Sequence, residues 1–575
     1  MDAILIMVVA FVGYVVAYQL YGRFVGKKIF NLSNDNTTPS VDMEDGVDYV
    51  PTKKGIIFGH HFTSIAGTGP IVGPAIGIIW GWIPALIWVL VGTIVMGAVH
   101  DFGSLVISLR NQGKSISEVT AKYINPRTRT IFFILVLLEL WIVIAVFGLV
   151  IAIIFNMYPQ SVFPVWCEIP ISIILGYALY KKGAKVGIAT TVAVVAMYVT
   201  VILGHFLPLS MPAIAGIPAT GVWSIILLVY AFIASTLPVT TLLQPRDFIN
   251  SWQLLIAMAL LVIGVFASAF GGALNVVAPA VQMVPEGAPP MWPMLFITIA
   301  CGAISGFHSL VSSGTSAKQV HYEEDALFVG YGSMVMEGAL ATLVIIAVAA
   351  GIGIAYNGPD GVVLTGTAAW TQHYSSWAAA AGLGSKIGAF VEGAANMISF
   401  VGVPKAIGIV IMGVFVASFA GTTLDTATRI QRYVIQELGS DVKASFLQGK
   451  YTATAVAVIT AGILAFATGP TGTGALKLWP LFGATNQALA GLALLTITMY
   501  LKQNGGVKFL VGLIPAVFMV VMTLWGLIYN EVTFISAGNA LLYIVNAIVI
   551  LIVVWMTIET FAKWFSKNQA IEATA

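Results

Sequence analysis

The chain alternates long apolar runs with short polar connections, and the runs repeat at a length that matches a lipid bilayer. About 20 apolar residues make one transmembrane helix. Runs of that kind fall near residues 3–24, 56–79, 82–109, 130–157, 162–181, 184–207, 219–242, 251–275, 291–314, 325–355, 383–400, 404–424, 450–468, 478–501, 507–530 and 535–562. The longest polar connections are 31–55, which is acidic and rich in Asn and Thr, and 356–382. Neither leaves room for a soluble domain between helices.

Lys and Arg concentrate on cytoplasmic loops. Arg23, Lys27, Lys28, Lys53 and Lys54 follow the first run, Arg110, Lys114, Lys122, Arg127 and Arg129 the third, and Lys181, Lys182 and Lys185 the fifth. This places the N-terminus outside and starts the second run in the cytoplasm. Segment 383–400 is weakly hydrophobic and holds Glu392 and Asn396. If it crosses, Arg429, Arg432, Lys443, Lys450, Lys563 and Lys567 face outside; if it is re-entrant or tilted, all face inside. The charge pattern favours fifteen full crossings plus this one segment.

Two runs interrupt themselves. GHHFTSIAGTGPIVGPAIG (59–77) sets Gly67, Gly69, Pro70, Gly73 and Pro74 at mid-span, and LVYAFIASTLPVTTLLQPRDF sets Ser235, Thr236, Pro238, Thr240 and Thr241 in the run 219–242. Unwound backbone survives in a membrane only where protein buries it or it lines a wet cavity. Either a kinked packing helix or a ligand site fits such a break. Two breaks five helices apart, in oppositely directed helices, point to a secondary transporter's site. A five-plus-five inverted repeat then spans 56–210 and 219–424, with an extra helix at 1–30 and a C-terminal scaffold at 425–565. Substrate candidates are His60, His61, Thr63, Ser64, Gly67, Thr68 and Gly69 from the first break, Ser235 and Thr236 from the second, and His308.

Segment ITIACGAISGFHSLVSSGTSAKQV adds Ser305, Ser309, Ser312, Ser313 and Thr315 at three- and four-residue spacing, so several share a face. They are read either as oxygen ligands for sodium or as ordinary hydroxyl-mediated packing. Acidic residues inside apolar runs are expensive and usually functional or partnered. Asp101 (beside His100), Glu139 and Glu337 are therefore candidates for proton coupling. Asp425 and Arg429 stand four residues apart, a spacing that permits an ion pair. Asn486 and Gln487 interrupt a later run in the same way.

Composition agrees with this setting. Of 575 residues 59% are hydrophobic and 9% charged, against about 25% charged in soluble domains, so the chain reads as a polytopic membrane protein. A net charge of +2 gives no hint of nucleic acid, and Cys167 and Cys301 imply neither a disulfide framework nor a metal knuckle. The run Ile4 to Leu20 reads as a signal-anchor span rather than a cleaved peptide. The Walker-type phosphate loop is missing. Scattered histidines do not supply a converging metal set, and no cofactor is expected beyond a coupling Na+ or H+.

The stretches GHHFTSIAGTGPIVGPA, ITIACGAISGFHSLVSSGTSAKQ, FAGTTLDTATR and LWPLFGATNQALAG together resemble the carbon starvation protein A family of bacterial peptide and pyruvate transporters, and this chain resembles its shorter members. The resemblance implies an all-α fold with a LeuT-type five-plus-five core. It also implies uptake of short peptides or of pyruvate and related monocarboxylates, driven by an ion gradient across the inner membrane. The expected partners are a small-molecule substrate and lipid; the oligomeric state is not indicated. A solute channel and a membrane-embedded enzyme are the rival classes.

Overall fold

Backbone groups in lipid must bond within their own segment, which favours helix wherever the apolar runs are long. The computed structural model describes residues 2–358, 361–503 and 505–566, so Lys567 lies outside the described residues. A helix forms in each of the sixteen expected segments. Twelve are long and apolar enough to cross a membrane, and the bent pair Lys54–Ala66 and Gly69–Trp80 makes a thirteenth. The other three segments hold the shorter apolar helix Lys450–Phe466, the broken pair Met291–Thr298 and Gly306–Gly314, and Leu383–Ser399.

Burial runs inside out relative to a soluble protein. Leu5, Ile188, Ile463 and Leu551 are exposed apolar side chains on the perimeter, whereas His60, His61, Asp101, His308 and Glu337 are fully buried. An apolar perimeter of this extent calls for lipid as its solvent. Helices Leu327–Gly353 and Trp479–Gln503 lie at the centre, buried by their neighbours, and Val186–Phe206 lies at the edge.

The basic loops collect on one face. Lys54 pairs with Asp325 at 3.1 Å, and the Asp48 carboxylate takes Arg429 at 2.7 Å and Arg432 at 3.2 Å. Ser115, which caps the short helix Ile116–Tyr123 ahead of Pro126–Met157, donates to Glu437 at 3.0 Å on the same side. Helix Leu383–Ser399 belongs to the opposite face at both ends. Gly384 lies against Met157, where Pro126–Met157 ends, and Phe400 lies against Gly271, just past Leu243–Phe270. It enters and leaves on one side, as a re-entrant or tilted segment does.

Segment 219–242 departs from expectation. Its helix, Ala219–Thr236, stops where Pro238 removes a backbone donor, and Leu243–Phe270 begins after six intervening residues. The intervening turn sits on the basic face: Val239 N–H donates to Val47 O at 3.0 Å, and the Leu237 carbonyl accepts from Arg429 at 2.5 Å. The proline therefore ends a span instead of breaking one. The second interrupted helix is segment 291–314, expected to be continuous, which unwinds at Ile299–Ser305.

Around Asp48 the charges make a latch between the loop 31–53 and the last turns of Lys405–Asp441. Burial alone would push this carboxyl up, but Arg432, Arg429 and Lys318 together hold it at about 2 rather than 3.8. A carboxyl depressed in the folded state stabilises above its unfolded value and loses that contribution as pH falls through the folded value. Wild type should therefore lose about 2 kcal/mol more than Asp48→Asn between about pH 4 and pH 2. Thermal unfolding in detergent across that range checks it; parallel curves would exclude the latch as a stabilising element.

Candidate functional site

The two interrupted helices meet at their breaks. Gly67 adopts φ 44°, ψ −144°, a conformation few side-chain-bearing residues reach. It turns the chain between its two half-helices by 41°. A Cβ on Gly69 would stand 2.4 Å from the Cys301 side chain, so only glycine lets the two breaks touch.

The freed backbone of the second break is satisfied by tertiary partners. Trp88 Nε1 donates to Ile299 O at 2.8 Å, Thr93 to Gly302 O at 2.8 Å, and Gly302 N–H donates to Glu337 at 2.8 Å. Asn486 Oδ1 accepts from Phe307 N–H at 2.9 Å, its amide donates to Ser305 at 3.0 Å, and Gln487 donates to Phe296 O at 2.7 Å. Asn486 and Gln487 thus brace the break, where the sequence suggested only a scaffold.

A line of titratable groups runs from this break to the first helix. His308 Nε2 lies 3.3 Å from Glu337, His308 Nδ1 lies 3.6 Å from Asp101, and His61 Nε2 lies 3.5 Å from Asp101. The His61 ring also meets Ser316 at 2.7 Å, and Ser312 donates to Asp101 at 2.7 Å. The three His–carboxylate contacts are within ion-pair range but outside hydrogen-bond alignment. Asp101 Oδ2, Glu337 Oε2 and both His308 nitrogens consequently have no hydrogen-bond partner among the described residues. Small rotations would engage them, the kind of geometry in which a proton can be handed along. Cys301, His308 and Glu337 also bring one ligand atom each within 4.8 Å of one another, a convergence the sequence did not suggest.

A second buried cluster surrounds Arg246. It pairs with Asp247 at 3.0 Å, with Asp425 at closer range, and stands 3.7 Å from Glu168. Tyr230 donates to Asp425 at 2.9 Å, and Ser418 donates to Glu168 at 2.7 Å. His60 Nδ1 meets Asp247 at 2.6 Å and its Nε2 meets Thr315 at 3.1 Å. The expected Asp425–Arg429 pair is not the one formed: Asp425 turns to Arg246 and Arg429 to Asp48. Arg246 and Asp247 were legible as charges in QPRDF but drew no role from it.

The remaining candidates are dispersed. Thr63 donates to Gly59 O at 2.8 Å, Ser64 meets Thr426 at 3.2 Å, and the Thr68 carbonyl accepts from Val72 N–H at 2.9 Å. Ser235 and Thr236 donate to carbonyls of their own helix, away from the breaks. Ser309 and Ser313 likewise bond back to Gly306 O and Ser309 O at 2.7 and 2.6 Å. Thr315 bonds back to Val311 O. Glu139 accepts from Thr485, outside both clusters. His100 is buried without a hydrogen-bond partner among the described residues.

Beside Gly69 and Cys301 a cavity of about 460 Å³ opens toward the face of Leu383–Ser399, walled by Trp377, Lys386, Phe482 and Asn530. That volume is in the range of small-molecule sites.

Many spans, two interrupted helices in contact and a small cavity at their junction define an integral membrane protein of the solute-carrier kind. The family model described as "Carbon starvation protein CstA" matches residues 2–526, and the chain belongs to that family. It is 34% identical to the peptide transporter CstA of Campylobacter jejuni subsp. jejuni over 91% of this chain and 80% of that one. It is 32% identical to the peptide transporter CstA of Bacillus subtilis over the whole of both chains. To the pyruvate/proton symporter BtsT of Escherichia coli K12 it is 32% identical, over 92% and 81% of the two chains. Among solved structures it is similar to MhsT in complex with L-phenylalanine, with 11% identity, coverage of 89% and 100%, and a TM-score of 0.48. The family and these relatives are transporters, and the protein is not an enzyme.

Proposed function

We propose that the protein is a proton-coupled secondary carrier for small carboxylate-bearing solutes, short peptides or pyruvate-like monocarboxylates. It works in the bacterial cytoplasmic membrane, with its basic face in the cytoplasm and its N-terminus outside. The observation that carries this reading is the contact of a solute-sized cavity with a proton-capable chain. Cys301 lines the cavity, and Gly302, the next residue, donates to Glu337, which continues through His308 to Asp101 and His61.

In this mechanism substrate enters beside Gly69 and Cys301 from the outer face. Uptake of a proton by Glu337 changes the charge of the Glu337–His308 pair at the unwound turn and permits the two breaks to shift together. Their partners Trp88, Thr93 and Asn486 belong to helices that stay packed, which gives the breaks a fixed frame. Protons are preferred to sodium because the side chains that meet the unwound turn are titratable: Glu337 accepts from the Gly302 N–H and faces His308 at 3.3 Å.

The test is uptake of labelled pyruvate and of dialanine into proteoliposomes, under a proton gradient and under a sodium gradient separately. Saturable uptake driven by protons, with counterflow, is the expected result. Non-saturable flux without counterflow would make the protein a channel, and drive by sodium alone would reverse the choice of ion.

A further inference from the structure

Lys386 is out of place. It lies on Leu383–Ser399, is only 6% exposed, and lines the cavity at the two breaks. Its ammonium has neither a carboxylate within ion-pair range nor a hydrogen-bond acceptor among the described residues. Its nearest charge-stabilising neighbour is the Trp479 ring, with the nitrogen 6.0 Å from the centroid. The stem is buried while the nitrogen reaches the cavity surface, so the ammonium faces the cavity with no carboxylate of the protein beside it, and a cation in so sheltered a place is ordinarily paired. The other residues lining the cavity are apolar or neutral.

From this we infer that Lys386 is the substrate's anchor and sets its charge, so that the cavity selects a small monoanionic carboxylate over a zwitterionic peptide. The inference rests on the carrier reading above and narrows its substrate class. A carboxylate at Lys386 makes a charge-assisted hydrogen bond and supplies the counter-charge that no lining side chain provides. A short peptide brings a carboxylate too, but its ammonium would enter a wall whose one charge is already positive. Trp377 and Phe482 suit a compact apolar remainder such as a methyl or short alkyl group.

Binding is measured on the purified full chain in detergent, by the fluorescence of the Trp377 and Trp479 indoles, with pyruvate, its neutral amide pyruvamide, and dialanine as probes. Wild type is expected to bind pyruvate more tightly than either of the others. Lys386→Met should weaken pyruvate about tenfold or more and leave pyruvamide unchanged, whereas Lys386→Arg should stay within a few-fold of wild type for pyruvate. Because Lys386→Met removes a cation that no carboxylate of the protein pairs, the ligand-free variant should melt at or above the wild-type temperature, which separates lost binding from lost folding. Unchanged pyruvate affinity in Lys386→Met, a wild-type preference for dialanine, or no pyruvate binding by wild type would each overturn the inference. Pyruvate binding that depends on Lys386 without proton-driven uptake would keep it and remove the carrier reading instead.

Discussion

Glu337→Gln is expected to exchange substrate across a vesicle membrane at near wild-type rate and yet accumulate none under a proton gradient. For a monoanion carried with one proton the cycle is electroneutral, so each pH unit across the membrane can support about tenfold accumulation. The variant should bring that ratio to about 1. The position decides the choice of residue. Glu337 takes the Gly302 N–H at the unwound turn with one oxygen and faces His308 at 3.3 Å with the other. An acidic residue at a helix centre costs about 2.5–3.5 kcal/mol on insertion scales, and a proton removes most of that. Protonation is thereby tied to the shape of the break. Gln keeps an oxygen for Gly302 while abolishing titration, so the fold should survive. Glu139→Gln is the control: Glu139 touches Thr485 but no ionisable partner among the described residues, and it should still accumulate substrate. If Glu337→Gln concentrates pyruvate as wild type does, the carrier lies elsewhere on the chain, with His308 and Asp101 next.

The span pattern and the first break were readable from the sequence because both are local. Apolar length dictates a helix in lipid, and Gly67 with Pro70 leaves the backbone few alternatives. The second break was not readable for the opposite reason. The unwound stretch Ile299–Ser305 contains no proline and looks like the middle of an apolar run, whereas Ser235, Thr236 and Pro238 carry every local sign of a break and form the end of a span. What unwinds Ile299–Ser305 is a set of partners from other helices, Trp88, Thr93, Glu337 and Asn486, and no local pattern encodes them. The same limit applies to Asp425 and Arg429. Their spacing allows a pair, yet each meets a better-placed partner across a helix interface. Glu168, in a short run flanked by Pro164 and Pro170 that carries no local mark of burial, is buried beside Arg246. Lys386 gave no signal, since a lysine in a weakly hydrophobic helix is ordinary until its neighbours are known.

Arg246→Met should be strongly destabilising although the residue lies outside both breaks. Its guanidinium is the shared counter-ion of Asp247, Asp425 and Glu168, and all four side chains are buried. Removing one partner of a buried ion pair costs about 3–5 kcal/mol because the other charge stays behind unpaired. Here three carboxylates lose the cation at once, so the upper part of that range is expected. The damage has a direction as well as a size. Asp247 holds His60 at 2.6 Å, on the half-helix that leads into the Gly67 turn, and Asp425 lies on the long helix whose Thr423 packs against Gly67. Loosening the cluster therefore frees the inner half of the first broken helix before it affects the outer cavity. Arg246→Met should lose transport and melt well below wild type in detergent, while the double variant Arg246→Met with Asp425→Asn, which takes away the carboxylate in closest contact, should recover a measurable part of the lost stability. Two variants with equal melting temperatures would show that Asp425 is not held by Arg246, and the cluster would then have to be regarded as separate polar contacts rather than one coupled unit.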